Sequence, residues 1–301
     1  MTLNELRFIV AVAQERNFRR AAEKAFISQP ALSLAVQKLE EELGLKIFER
    51  GKSEVTPTPA GSAIIEQAQR VLEEAERIRE IAHGGRNQLH SPLRLGVIHS
   101  VGPYLLPDLI PALKKVAPQM PLQVEENITA NLDALLRNGK LDAIVIALPF
   151  GDSGIATRPL YDESFEVVVH NEHPWAGRRS IKSQELAGEN VLLLDSGHCF
   201  SNQVEEACPE LHRKGANIQQ GTSLETIRNM VASGLGITVL PASANSARYR
   251  SKLLSVIPFA KPIPTRRIAL AWRKSFARTE AIEALAQAVA QAKITGIQHL
   301  N

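Results

Sequence analysis

Leu6, Val10 and Ala13 recur at helical spacing near the N-terminus and predict an amphipathic helix over about residues 3–15. A second, short helix is expected from Phe18 to Ala25, where Ala21, Ala22 and Ala25 are small enough for close packing. In the following stretch, FISQPALSLAVQKLEEELGLKIFER, Ser28 is a helix N-cap and Pro30 falls in the first turn, where its missing N–H costs nothing. Leu32, Val36, Leu39 and Leu43 then share an apolar face, with Gln29, Ser33 and Gln37 on the opposite side. Thr58–Pro59 opens a long helix in which Ile64, Ala68, Val71, Ala75, Ile78 and Ala82 alternate spacings of four and three. That is a heptad seam, ringed by charge, and it asks for a partner helix. The HGG at 83–85 ends it.

Beyond residue 90 the pattern changes. PLRLGVIHS, LDAIVIALP, FEVVVHNEHPW, VLLLDSG, GITVLP and RRIALAWR read as strands, and YLLPDLIPALKK, SLETIRNMVASG and 279–293 as helices. Strands alternating with helices predict an α/β fold with mostly parallel sheets, whose sites lie beyond the carboxyl ends of strands.

Two short helices, a tight turn and a helix with a polar outer face follow the helix-turn-helix plan. Its second helix lies in the major groove, where Gln29 can pair with adenine, Ser33 with several bases and Leu34 with a thymine methyl. An ordinary three-helix bundle with a solvated face has the same pattern. The turn-rich segment ERGKSEVTPTPAG shifts the balance, because Arg50 and Lys52 suit a wing that contacts phosphate. Bulk charge is silent on this point: residues 1–60 hold nine Lys/Arg against eight Asp/Glu, within a chain of net charge +3.

Composition changes the picture little. With 301 residues, 44% hydrophobic and 22% charged, the chain has room for more than one domain. No apolar run approaches the roughly 18 residues of a membrane span, and the first residues do not follow signal-peptide order, so a cytoplasmic, membrane-free protein is expected. His170, His173, Asp195 and His198 do not show a recurring metal-ligand spacing, and no phosphate-binding glycine loop is present, so neither a metal nor another cofactor is expected.

Both cysteines fall within DSGHCFSNQVEEACPE, as Cys199 and Cys208. In a reducing compartment a pair of thiols is commonly two inert small hydrophobes. Here Cys199 follows a predicted strand in a loop beside His198, which favours a thiolate if it is protonated or donates a hydrogen bond. Ser201 or Asn202 can cap a short helix, NQVEEA, whose dipole favours the same anion. If 199–208 is helical, the two Cα atoms are about 13 Å apart. A disulfide needs them within about 7 Å, so oxidation would require the segment to unwind.

The segment NFRRAAEKAFISQPALSLAVQKLEEELGLKIFERG, followed by TPAG, resembles the DNA-binding domain of LysR-type transcriptional regulators. The remainder resembles that family's effector domain. The resemblance implies an α+β multidomain protein: a winged helix-turn-helix over 1–58, a linker and dimerisation helix over 59–89, and a two-lobed, periplasmic-binding-protein-like effector domain over 90–301. Lobe I would comprise 90–162 and 268–301, and lobe II 163–267. The positions of Gln29, Pro30 and Ser33 would read double-stranded promoter DNA. GHC, the C-x8-C spacing, EACP and TSLETIRNMVASGLGITVLPA resemble the peroxide-sensing members of the family. That implies Cys199 as peroxidatic thiol, Cys208 as resolving thiol, and Ser100, Thr129, His198 and Arg266 as the lining of a hydrogen peroxide pocket. It further implies a homo-oligomer, dimeric through 59–89 and tetrameric through effector contacts, acting with RNA polymerase and not as an enzyme.

Three positions depart from that pattern: Ser201–Asn202 stands where Arg-Asp is common, and Ser100 where Thr is frequent. Two other readings stay open. One is a regulator answering to a small-molecule inducer in the interlobe cleft. The other is a thiol peroxidase with a vestigial DNA arm, which a heptad helix joined to a helix-turn-helix disfavours.

Overall fold

The computed structural model describes residues 1–50, 55–84, 88–195, 197–212 and 217–300, and divides into two compact units, Met1–Arg86 and Asn87–Asn301. Lys52 lies outside the described residues, as do the side chains of Arg50 and Ala82.

The first unit contains α1 (Leu3–Glu15), α2 (Phe18–Lys24), α3 (Gln29–Leu43), β1 (Phe48–Arg50), β2 (Val55–Pro57) and α4 (Pro59–Gly84). Thr2 and Glu5 form a capping box at α1, Asn17 caps α2, and Ser28 accepts from the Ala31 amide at α3. The buried stripe of α1 is Leu6, Ile9 and Val12, with Val10 and Ala13 only half-buried beside it. The core-facing line thus runs one position away from the one expected.

The TPAG segment has a geometric reason. The Thr58 hydroxyl donates to the Lys46 carbonyl at 2.8 Å and accepts from the Gly61 amide at 2.8 Å, while the Thr58 amide donates to Ile47. A Cβ on Gly61 would stand 2.0 Å from the Ile47 carbonyl oxygen, so only glycine lets α4 approach β1 this closely. The antiparallel β1–β2 pair forms the base of a wing. In α4 the expected heptad seam is divided. Ala68 is buried in the unit's own core with Ile65, and Ile64, Val71 and Leu72 pack against it, whereas Ile78 is 70% exposed. The first turns of the helix therefore serve the winged domain itself.

The acidic run at 40–42 hides a structural residue. Glu40 is buried and accepts from the Ile47 amide at 2.9 Å, the Phe48 amide at 3.2 Å and Lys46 Nζ at 2.8 Å. It fastens the end of α3 to the strand that starts the wing. Burial raises its pKa, but the bonds from Lys46, Ile47 and Phe48 outweigh that effect and hold the carboxyl below its ordinary value of 4.5.

The second unit runs β3 (Leu93–Ile98), α5 (Gly102–Val116), β4 (Leu122–Asn127), α6 (Thr129–Arg137), β5 (Ala143–Ala147), β6 (Ile155–His170), β7 (Asn190–Leu194), α7 (Cys199–Ala207), β8 (Asn217–Gly221), α8 (Leu224–Ala232), β9 (Ile237–Pro241), β10 (Leu254–Pro258), β11 (Thr265–Arg273), α9 (Thr279–Gln291) and β12 (Ile297–His299). The strand order is β4-β3-β5-β11-β6-β9-β7-β8, with β10 and β12 also pairing β6. β3 is parallel to β4 and β5, and β7 to β8 and β9, as the alternating pattern predicts. β6 and β11 run antiparallel to their neighbours and tie the two parallel groups together. β6 is longer than its apolar run because its first half, Ile155–Tyr161, serves one core and Phe165–Val169 the other. One core draws on residues 93–161 and 268–289, the other on 165–259 together with Tyr104, and each defines a lobe.

Replacing Glu40 with Ala should destabilise the first unit by about 2–4 kcal/mol, because two buried amides lose their acceptor. Since folding lowers this pKa, its stabilisation is complete above 4.5 and fades as pH falls through the lower folded value. Denaturant melts of wild type and Glu40→Ala should accordingly converge in acid. Curves that differ equally at every pH would refute the assignment.

Candidate functional site

The lobes meet just beyond β3, where the chain passes through His99 and Ser100. Ser100 is buried; its hydroxyl accepts from Arg266 Nη1 at 2.8 Å and its carbonyl from Nη2 at 2.9 Å. Arg266, on β11, faces Glu163 of β6 in the ladder, and its Nε donates to Glu163 Oε2 at 2.9 Å. The other carboxylate oxygen accepts from the Ser243 amide at 3.0 Å. These side chains are 1% and 0% exposed. Two charges withdrawn so far from water persist only because each is paired with the other and hydrogen-bonded besides. The ring of Phe200 covers the guanidinium at 4.8 Å.

Phe200 belongs to α7, and here the structure corrects one expectation. The N-cap is His198, neither Ser201 nor Asn202, and the helix begins at Cys199. Gly197 adopts φ +120°, which turns the chain into helical register earlier than the polar residues suggest, and the Ser201 amide bonds the His198 carbonyl. Cys199 therefore occupies the first helical position, among the free amides where the helix dipole is positive. It is half-buried against the first lobe's core, while its neighbour Phe200 is buried in the second. α7 thus starts astride the junction.

Cys208 closes the same helix as its C-cap, fully buried in the second core, its amide bonded to Val204 at 2.9 Å. Burial pushes its thiol up to about 11. Both thiols are free. At about 1.5 Å per residue the helix separates the two Cα atoms by about 13 Å, beyond disulfide reach.

His198 stands directly before Cys199 as the N-cap of α7. Burial, with a contribution from His99, lowers its pKa below 6.5 against the opposing pull of Asp195. A lowered pKa favours the neutral ring, which leaves hydrogen bonding, not charge, as the open route by which it favours the thiolate. Its Nε2 lies 3.1 Å from Asp195 Oδ1, and its ring centroid 5.5 Å from that of His99. His99 Nδ1 in turn lies 3.9 Å from Glu126 Oε2. Thr129 is the first residue of α6, and its buried hydroxyl has no hydrogen-bond partner. Ile128, just before it, lies against Gly197.

The structure thus joins Ser100 directly to Arg266, seats His198 at the cap of the helix bearing Cys199, and brings the Thr129 turn against the Gly197 loop. Sequence reasoning missed His99, Glu126, Glu163 and Phe200. Only the β6–β11 register and the lobe contact bring these in, and neither leaves a local signal. On α3 of the first unit, Gln29, Pro30 and Leu34 are exposed and Ser33 is half-buried.

A winged helix-turn-helix joined to two α/β lobes, with polar groups and one thiol gathered at the lobe junction, defines a DNA-binding regulator with an effector domain. Residues 3–62 match the family described as bacterial regulatory helix-turn-helix protein, lysR family, and residues 86–293 match the LysR substrate binding domain, so the chain belongs to the LysR family. It is 39% identical over 289 residues to the DNA-binding transcriptional dual regulator OxyR of Escherichia coli K12, covering 96% of this chain and 95% of that one. It superposes on a full-length Cys-to-Asp variant of OxyR from Pseudomonas aeruginosa with a TM-score of 0.82 at 50% identity, covering 100% and 99% of the two chains. A hydrogen-peroxide-bound cysteine mutant of OxyR from Corynebacterium glutamicum gives a TM-score of 0.64 at 35% identity, with 99% and 96% covered.

Two measurements check the site. Glu163→Gln leaves the buried Arg266 without a counter-charge and should cost about 3–5 kcal/mol in chemical denaturation of the second unit. A loss under 1 kcal/mol would mean the guanidinium finds water. The His198 ring should titrate by NMR below 6.5, and His99→Ala should raise its midpoint. Because folding lowers this pKa, His198 favours the fold fully above 6.5 and progressively less as pH drops through its folded value. A wild-type midpoint at or above 6.5 contradicts the assignment.

Proposed function

We propose that this protein is a transcriptional regulator that senses hydrogen peroxide by reversible formation of a Cys199–Cys208 disulfide and thereby controls oxidative-stress genes. The observation that carries this reading is the placement of the two thiols. One sits half-buried at the first turn of α7 on the lobe junction, and the other is buried at the end of the same helix. Whole-chain similarity to OxyR proteins, among them one described as peroxide-bound, supports it.

In the reaction the Cys199 thiolate attacks one peroxide oxygen. An S–O bond forms, the O–O bond breaks, and the leaving hydroxide takes up a proton to become water. Cys199 is then a sulfenic acid, the reversible first rung of thiol oxidation. Ser100, Thr129, His198 and Arg266 line the peroxide pocket, with the unpartnered Thr129 hydroxyl offering one ready hydrogen bond to an oxygen. Cys208 next loses its proton and attacks the Cys199 sulfur; the S–S bond forms, the S–O bond breaks and a second water leaves. A buried thiol raised to about 11 is a poor nucleophile, so this step waits for α7 to open.

Gln29, Pro30, Ser33 and Leu34 read double-stranded operator DNA, and Arg50 and Lys52 hold phosphate. The α4 helices pair two chains, effector contacts build a tetramer, and the bound protein acts on RNA polymerase in the cytoplasm. Within the described residues no helix is long and apolar enough to cross a membrane. The chain is a regulator and not an enzyme: its thiols turn over once per signal. The alternative, a small-molecule inducer at the lobe junction with the cysteines incidental, is separated by a direct test.

Reduced protein treated with a few equivalents of peroxide should yield the linked Cys199–Cys208 peptides by mass spectrometry. Cys208→Ser should stop at a trappable sulfenic acid, and Cys199→Ser should lose the peroxide-dependent change in DNA binding. If Cys199 stays reduced or passes straight to sulfinic acid, the redox reading fails and the inducer reading takes its place.

A further inference from the structure

The turn between α2 and α3 holds an aromatic ring in water. Phe26 is 94% exposed, more than any other large hydrophobic side chain among the described residues. Its backbone is also unusual, with φ at +56°, in the left-handed region that bulky residues avoid. Two bonds fix that turn: the Phe26 amide donates to the Glu23 carbonyl at 3.2 Å and the Ile27 amide to Ala22 at 3.1 Å. They tuck Ile27 against the domain core and swing the Phe26 ring outward. Asn or Gly would take this turn with less strain, and a polar side chain would leave no apolar surface exposed. Two local preferences are violated at one position, and nothing among the unit's described residues compensates for either.

The neighbourhood says what the ring is for. Phe26 lies two residues before Ser28, the N-cap of α3, and three before Gln29. When a recognition helix enters the major groove N-terminus first, the turn just before its cap travels to the groove's rim. Phenylalanine has no donor, acceptor or charge, so it can neither hold a phosphate nor read a hydrogen-bond pattern. The apolar feature of the major groove is the thymine C5-methyl group. We infer that Phe26 is a DNA-contact residue that packs on a thymine methyl at the edge of each half-site. The inference rests on the DNA-binding reading of the first unit and adds to it a specificity residue outside the recognition helix.

The full-length chain is used to select duplexes from a random-sequence library, and affinity for the enriched site is measured by fluorescence anisotropy. Each thymine of the half-site is then replaced in turn by 2′-deoxyuridine, which removes only the methyl group. One such replacement should weaken wild type about threefold to tenfold and leave Phe26→Ala unchanged. Phe26→Ala should bind the thymine duplex about as weakly as wild type binds the uracil one, with the same salt dependence, since no charge has changed. Phe26→Asn should melt no lower than wild type while losing the same affinity, an opposition that a purely structural residue would not produce. Full affinity in Phe26→Ala overturns the inference, and so does an equal loss on thymine and uracil duplexes at every position; either result returns the ring to a protein partner. If wild type enriches no sequence, the DNA-binding reading falls first and this inference with it.

Discussion

The buried pairing of Arg266 with Glu163 is the constraint around which the second unit is organised. It bridges the two antiparallel strands that connect the lobes, and each partner reaches onward: the guanidinium to Ser100 after β3, the carboxylate to the amide of Ser243. Phe200 closes the remaining face. A hydrophobic pair of similar volume would hold the strands at least as firmly, since desolvating two charges offsets most of their attraction. What an ion pair adds is direction. It fixes the end of β3, the start of α7 and both crossover strands relative to one guanidinium plane.

A smaller version of the same device operates in the first unit. The Glu40 carboxylate gathers two amides and an ammonium and so sets the angle between α3 and the wing. Every surface proposed to touch DNA hangs from that angle, yet Glu40 is one of three consecutive glutamates and nothing in the run marks it. Its neighbours Glu41 and Glu42 remain exposed. Which of the three turns inward is settled by helical phase: position 40 follows Leu39 and lies four beyond Val36, on the buried flank.

Much of the architecture was legible in the chain because periodicity is a local property. The helix limits at Leu3–Glu15 and Gln29–Leu43, the parallel strands and the Thr58 cap all follow from spacing and capping chemistry. What escaped was long-range or conformational. β4, β8 and β12 lack apolar runs, and their strand character comes from partners distant in sequence. Glu163 meets Arg266 only through a ladder register. His99 meets His198 only across the contact between the two lobes, with 5.5 Å between the ring centroids. The helix start at Cys199 turned on the backbone of Gly197, while the polar residues that follow pointed to a cap three or four positions too late.

That shift of the helix start changes how the two cysteines are coupled. Had α7 begun at Ser201 or Asn202, Cys199 would lie in a loop, and drawing it toward Cys208 would move the loop alone. As the first helical residue it shares a turn with Phe200, so it cannot travel about 13 Å along the helix axis while α7 persists. Bringing the sulfurs together must break the backbone bonds of α7, draw Phe200 off the Arg266 guanidinium and take Cys208 out of the core it shares with Val204 and Leu211. On the redox reading each loss destabilises the oxidised form, and the disulfide must outweigh their sum. The size of the rearrangement and the ease of reducing it again then have one origin. The more native packing the bond displaces, the larger the rearrangement around α7, and the more readily a thiol reductant restores the original state.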